Sequence, residues 1–502
     1  MAVSTAVDVS AVARVVGIKT EFKDLRKGSI LFLPQRIALV GQGNSLAVYP
    51  SSKLQITSAL QAATVYGFGS PIHLAAKQLF PVNGDGVGTI PVTVYPLVDD
   101  AAGVVSTGDV TPGGAQTEDA SYIVRINNID SSAFVISTGD SVADIVTAMT
   151  AAINANLDVP VIAVDATPGT STKVDITSKW EGTSANDIIM EVIGSTTAGT
   201  TFAITQPVGG LANPNIDSAL ALVGNIWESM FLNCLDIVDT TTLDKYSTFG
   251  EGRWGALVRK PAIVFTGNTA TTPAAAIVVS DARKTDRVNS QLVAPGSNDL
   301  PFVVAARQLA RIAVVANNNP PRDYGSQDAT GLVPGVDGDQ WDYTERDLAV
   351  KAGSSTIEVK DGVINISDVV TFFHPDGDPT PAFRFVVDIV KLQNIIFNLD
   401  LIFATPEWDG APLIPDDQPT VNPDAKKPKS AVAAIAAMLD SLGLNAIISD
   451  VPTAKGSILA AISGTNPKRL DVEVTVQLSG NTNIISVDLN FGFFFGATPV
   501  VT

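Results

Sequence analysis

Hydrophobic positions along this chain alternate between two periods. Residues 1 to about 22 carry no helical period and predict an extended arm. "QRIALVGQGN" (35–44) is a short apolar run ending in glycines, which predicts a buried strand and a turn. "SPIHLAAKQLF" then switches to the helical period. Ser70 stands at a cap position and Pro71 at the first helical position, with Ile72, Ala76, Leu79 and Phe80 on one face. "IPVTVYPL" (90–97) predicts the next strand.

Beyond residue 100 short alternating runs dominate. "YIVRINN", "AFVIST", "VPVIAVDA" and "KVDITSK" predict strands. Among them "SVADIVTAMTAAINAN" predicts an amphipathic helix, with Val142, Ile145, Val146, Met149 and Ile153 on one side and a Ser141–Asp144 capping box. From about 208 longer elements return. "SALALVGNIWESMFLN" predicts a helix through Leu220, Val223, Trp227, Met230 and Phe231, and "CLDIVD" and "PAIVFTG" predict buried strands. "LPFVVAARQLARIAVVANNNPP" predicts a helix that stops at the Asn-Pro cluster. "STIEVKDGVINIS" predicts a hairpin turning at Asp361-Gly362, with Val359 opposite Ile364 and Ile357 opposite Ile366. "FRFVVDIVKLQNIIFNLDLIF" predicts a helix buried on most sides, since its polar stripe is only Arg384, Asp388, Lys391 and Asn398. A proline-rich linker, "DDQPTVNPDAKKPKS", precedes a small-residue helix expected to close at Gly443.

The strongest period-2 pattern comes last. Leu470, Val472, Val474, Val476 and Leu478 share one face of a predicted strand. Ile485, Val487, Leu489, Phe491, Phe493 and Phe495 share one face of another, and the two are expected to pair, the second overhanging the first. Such an apolar strand at a chain end is an aggregation hazard unless another chain takes it up.

Composition narrows the reading. The 502 residues are too many for one ordinary core, so two or more domains are expected. With 45% apolar and 17% charged residues the chain is globular. No apolar run reaches the roughly 20 residues of a membrane span, and the first residues do not have the form of a signal peptide. One cysteine, Cys234, excludes an internal disulfide. The net charge of −19 argues against nucleic acid and anionic membranes as partners. Residues 101–207 hold 12 acidic and 3 basic side chains, about half of that charge in about a fifth of the length. They are expected to form a small, self-contained β-rich α/β domain inserted into the larger one, with an acidic outer surface.

Candidate chemistry is sparse. Of the two histidines, His73 reads as a satisfied helix residue and His374 as the start of a "PDGDP" turn; Cys234 reads as a packed thiol. "GQGN", "GDGVG", "GVDGDQWD" and "DGD" complete neither a dinucleotide motif, a phosphate loop nor a calcium loop, so no catalytic, cofactor or metal residues are assigned. A carboxylate-based glycan hydrolase stays open, because 51 acidic residues always permit some pair. The dense basic cluster Lys426, Lys427 and Lys429 is a candidate contact with a complementary partner, or a solvated linker.

The ordered series "FLPQRIALVGQGN", "YGFGSPIHLAAKQLFPVNG", "IPVTVYPL" and "LVPGVDGDQWDYTERDLAVKAGSSTIEVKDGVINISDVVTFF" resembles contractile tail sheath proteins of the Mu-like phage type. The resemblance covers most of 30–100 and 208–495. The chain departs from the family at "ARVVG" (13–17), where a proline is usual, and at "SDVVTFF" after the hairpin. The fold it implies is a mixed α/β core domain with an inserted small β-rich α/β outer domain and extended N- and C-terminal β-arms. The expected parts are an arm at 1–22, core at 23–100 and 208–415, an outer insert at 101–207, a tube-facing α/β part at 416–490 and an arm at 491–502.

What the resemblance implies is a structural, non-enzymatic subunit that needs no cofactor. It would polymerise with itself as stacked hexameric rings around a tail tube protein, bounded by baseplate and tail terminator proteins. It would contract to drive the tube through a target envelope. Its place would be the virion tail, assembled in the host cytoplasm, with no nucleic-acid or direct membrane contact. The arms would join neighbours by strand addition, through Val12, Val15 and Ile18 at one end and Val487, Leu489, Phe491, Phe493 and Phe495 at the other. Lys426, Lys427 and Lys429 would face the tube. The alternative is another phage or secretion-system surface protein, without paired arms.

Overall fold

The computed structural model describes residues 30–379 and 381–491. They divide into two compact units. One holds Phe32–Ile396 and, at its C-terminal end, residues 480–491; the other holds Phe397–Ser479 with Ile30 and Leu31. The division falls inside the helix Val386–Phe403.

The larger unit is built on a six-stranded sheet. Five strands are parallel: β1 (Ile37–Gln42), β3 (Val92–Leu97), β12 (Met230–Asn233), β13 (Ile263–Asn268) and β14 (Asn289–Val293). A short antiparallel β2 (Leu54–Ile56) closes one edge, giving the order β14-β13-β12-β1-β3-β2. All five parallel strands are buried throughout, so both faces of the sheet are covered. Successive residues feed opposite layers. Ile37, Leu39, Val92, Val94, Met230, Leu232, Ile263 and Phe265 pack on the side of helices Pro71–Leu79 and Pro301–Asn318. Ala38, Val40, Tyr95, Phe231 and Val264 pack on the side of helices Asp217–Val223 and Thr240–Trp254. Helix Pro71–Leu79 starts as its sequence dictates, the Ser70 hydroxyl accepting from the His73 amide at 3.2 Å with Pro71 at the first position.

Two predicted elements differ. The helix expected through Phe231 stops at Val223, because Gly224 adopts φ 56° and ψ −131°, a conformation reserved for glycine. "MFLN" is instead the central strand β12, and "CLDIVD" is the loop that follows it. A run buried on both faces is apolar at every position, so periodicity alone does not separate it from a helix.

Residues 101–207 contribute two antiparallel sheets. In one, β5 (Ala120–Ile126) pairs with β6 (Ile129–Asp130), β7 (Phe134–Ile136) and β10 (Met190–Gly194). In the other, the order is β11-β4-β9-β8, with β4 (Val105–Gly114), β8 (Val161–Val164), β9 (Val174–Glu181) and β11 (Thr200–Val208). Helix Val142–Ala155 carries the expected capping box and buries Ile145, Val146, Met149 and Ile153. The segment enters and leaves at one point: Val104 and Leu211 exchange backbone hydrogen bonds of 3.0 and 3.2 Å. Every strand pair of these sheets is internal to the segment, but its apolar core is not separate. Trp180 is fully buried and meets Phe302 of the large helix edge to face at 6.0 Å.

The predicted hairpin is present as β15 (Thr356–Lys360) and β16 (Val363–Asp368), with Val359 opposite Ile364 and Ile357 opposite Ile366. Asp361 and Gly362 both take positive φ, as a tight two-residue turn requires.

In the smaller unit, helix Pro428–Leu444 runs one residue past the expected stop at Gly443. That glycine is fixed by close packing, since a Cβ there would lie 2.2 Å from the Val451 side chain. Two small antiparallel pairs accompany the helix. They are β17 (Ile448–Ser449) with β20 (Gln477–Leu478), and β18 (Leu459–Ile462) with β19 (Leu470–Glu473).

Candidate assembly surfaces

The predicted pairing of Leu470–Leu478 with Ile485–Phe495 is not formed among the described residues. Leu470 lies opposite Ile462 and Leu478 opposite Ile448, so the expected first strand is split between two local partners. "SGTNPKR" between β18 and β19 supplies a turn only a few residues long, and short loops cost least to close.

Residues 480–491 belong to no strand. Asn481 hydrogen-bonds on both sides, but residues 482–490 form no hydrogen bond to any described residue. Ile484, Ile485, Val487, Leu489 and Phe491 are all about four-fifths exposed. Phe493 and Phe495 lie outside the described residues, as do Val12, Val15 and Ile18. The strip leaves along a groove of about 800 Å³, lined by Arg322, Tyr343, Arg346, Arg384 and Phe385 as well as Asn481–Ile484. A stretch whose amides and carbonyls at 482–490 meet no described residue, and whose apolar side chains are exposed, can take up a strand position in a sheet. In the smaller unit β18 and β19 make a two-stranded ladder, with Leu459 largely exposed. A two-stranded pair is marginal by itself and can accept further strands.

The lysine cluster separates into three environments. Lys426 reaches Glu407 at 3.4 Å and lies over the Trp408 ring. The Lys427 ammonium donates to the carbonyls of Asp416 and Gln418 at 3.3 and 2.7 Å. Both side chains are thereby folded onto their own loop. Lys429 is exposed, and its backbone amide donates to Asp416. The sequence shows the three as one patch because the returning acidic loop that engages two of them is not legible as a neighbour.

The reactive side chains are packed. His73 accepts from the Gly69 amide at 2.9 Å, and burial lowers its pKa to about 4. His374 lies with Nδ1 2.7 Å from the Phe372 carbonyl and Nε2 3.2 Å from Asp281. Burial pushes the Cys234 thiol well up, away from the reactive thiolate. Among the described residues no group of three or more His, Cys, Asp or Glu side chains is placed to hold a metal, and no helix is long and apolar enough to cross a membrane.

Open parallel sheets take ligands beyond the strand ends where the order reverses, here between β1 and β12. Several segments of the chain meet at that position. Gln42, the last residue of β1, donates to Asp99 at 2.6 Å and to the Glu181 carbonyl at 2.8 Å, and the Ser45 amide donates to the Lys179 carbonyl. Asp187 approaches Asp236, just beyond β12, and its pKa rises to about 7 through burial and that like charge. Glu181 and Asp187 of the acidic segment thus lie at this end of the sheet.

No protein-family model matches the chain. The Mu-like prophage FluMu tail sheath protein of Haemophilus influenzae is 24% identical over 351 residues, 68% of this chain and 68% of that protein. Among solved structures, the sheath tail protein of Listeria innocua aligns over 91% of this chain and 94% of its own, with 12% identity and a TM-score of 0.48. The sheath tail protein of Desulfitobacterium hafniense aligns over 92% and 96%, with 13% identity and a TM-score of 0.45.

Proposed function

We propose that this chain, whose resemblance to contractile tail sheath proteins is borne out by a sheath relative in sequence, is the structural subunit of a contractile sheath. Copies would stack as hexameric rings around a tail tube, between a baseplate and a tail terminator. On a signal from the baseplate they would repack and drive the tube through a target envelope. The sheath would belong to a virion tail assembled in the host cytoplasm. The subunit would work without catalysis and without a cofactor.

The observation that carries this reading is the exposed strip Ile484–Phe491. Val487, Leu489 and Phe491 alternate onto one face of an extended chain. Burying each in a neighbour's sheet contributes about 1.5–3 kcal/mol, and ordering the backbone costs about 1–2 kcal/mol per residue. One junction is therefore weak, while a lattice of junctions gains through effective concentration. Residues 1–22 would supply a second connector. The open β18–β19 ladder is the acceptor we favour, the segment 101–207 the outer surface, and Lys429 the residue of its cluster best placed to meet a tube.

Electron microscopy of the purified full chain tests this. Rings or tubes of sixfold symmetry are expected. The variant V487S/L489S/F491S should keep its circular dichroism spectrum and lose the tubes. Tubes that persist in that variant would remove the C-terminal strip as a connector.

A further inference from the structure

The polar stripe of the long helix holds a group that the assembly reading leaves unexplained. Lys391 lies in the middle of Val386–Phe403, and its side chain has no solvent exposure. A buried ammonium costs several kcal/mol unless its donors are met, and replacing a whole buried ion pair by apolar side chains of like volume is commonly neutral or stabilising. The donors of Lys391 reach Asp388 and Asn481, among other contacts. Asp388, of the same helix, lies at 3.0 Å. The side-chain oxygen of Asn481 lies at 2.7 Å. Asn481 in turn donates from its amide nitrogen to the Pro321 carbonyl at 2.8 Å. One side chain therefore ties two elements of the larger unit, and it sits directly before the stretch 482–490 that bonds to no described residue.

We propose that the Lys391–Asn481–Pro321 bridge is the anchor of the C-terminal strip, a pair of positioning residues that fix its root and set the direction in which it reaches a neighbouring copy. The inference rests on the strand-addition reading for its consequence, though not for the anchor itself. A strip free to swing would search a wide cone for its acceptor. A strip held at Asn481 is presented along the groove, with its apolar face pre-oriented, and engagement costs less ordering entropy. It also gives any pull on the strip a defined point of attachment on the helix.

The test uses the full chain, unassembled and assembled. Because Cys234 is fully buried, N483C can be labelled selectively with a nitroxide. In the unassembled protein the label is expected to be motionally restricted. N481A and K391M should each release it, and N481D, which keeps an acceptor for the ammonium, should hold it. K391M keeps the side-chain volume but leaves Asp388 unmatched, and circular dichroism of each variant checks that it is folded before its label is read. In assembly, N481A and K391M should raise the concentration needed for polymerisation about tenfold, or ~1.4 kcal/mol, and N481D should restore it. A label equally restricted in N481A and K391M, or already free in the parent, overturns the anchor. A released label with unchanged polymerisation overturns its role in presentation. Truncation before Ile485 separates the two readings. Tubes from that protein would defeat strand addition, while the label spectra would still judge the anchor.

Discussion

Asp187 shows how far a single charge can depart from what its sequence neighbours suggest. It sits in "SANDI", an unremarkable polar turn, yet the fold brings it beside Asp236 and burial raises its pKa to about 7. The folded state then holds the proton more tightly than the unfolded chain does. The stabilisation is complete below the ordinary carboxylate value and is lost as pH rises through about 7. Asp187→Asn is therefore expected to stabilise the fold at pH 8, by on the order of 1–3 kcal/mol after discounting for partial exposure, and by clearly less at pH 5. Thermal melts at the two pH values check this; an equal gain at both would mean that the pair does not set the shift. The lysines teach the same lesson with the opposite sign. Charge reversal at Lys429 is expected to weaken binding to a tube more than reversal at Lys426, whose ammonium is already engaged by Glu407 and Trp408. Cosedimentation with the tube, repeated over a salt series, would show equal losses if the cluster acts as one patch.

Among elements, those with a strong period and a cap were legible, and those that spend their polarity inside were not. Helices Pro71–Leu79 and Val142–Ala155 announced themselves through Ser70-Pro71 and Ser141–Asp144. Helix Tyr343–Lys351 carries the same box in Asp342 and Glu345, but its apolar face is too thin to read, with Ala349 its one buried residue. Helix Thr240–Trp254 is weakly patterned and holds two glycines. Strand β14 hides best. "NSQLV" is fully buried, and its polar side chains donate to tertiary partners: Asn289 to the Leu243 carbonyl, Ser290 to the Val370 carbonyl, Gln291 to the Ala276 carbonyl. Nothing local signals such a strand. The C-terminal strip was legible as an alternating face; that its residues 482–490 hydrogen-bond to no described residue was not. A packing prediction belongs at this scale. Gly267 in β13 lies against the start of helix Pro301–Asn318, and a Cβ there would stand 1.6 Å from the Pro301 carbonyl oxygen. Backbone cannot yield as a side chain tip can, so Gly267→Ala is expected to cost about 3 kcal/mol or more. Urea unfolding measures it, and a loss under 1 kcal/mol, the range of an ordinary surface change, would show that sheet and helix can separate.

For the whole molecule, the acidic segment raises the sharpest question of division. Its entry and exit lie side by side, Val104 bonding Leu211, so a short linker can span the gap left by excision. Its inner face, though, covers Phe302 through Trp180 and closes the end of β1 through Glu181. Excision of 101–207 is therefore expected to leave the six-stranded sheet formed but less stable, by about 1.5–3 kcal/mol for the uncovered phenylalanine alone. Calorimetry of the excised chain checks it, and stability equal to the parent would mean that the covering is incidental. The order of the large sheet reaches further, into how the chain is made. Ile37 of β1 is flanked by Val92 and by Met230. While the ribosome works through the intervening stretch, β1 and β3 wait with an open parallel edge, for on the order of ten seconds at ~5–20 residues per second. The antiparallel sheets of the acidic segment, whose partners are close in sequence, can close during that wait. Nascent chains of this protein should thus pass through a stage with a finished acidic segment and a half-built central sheet, the stage at which a chaperone has most to protect.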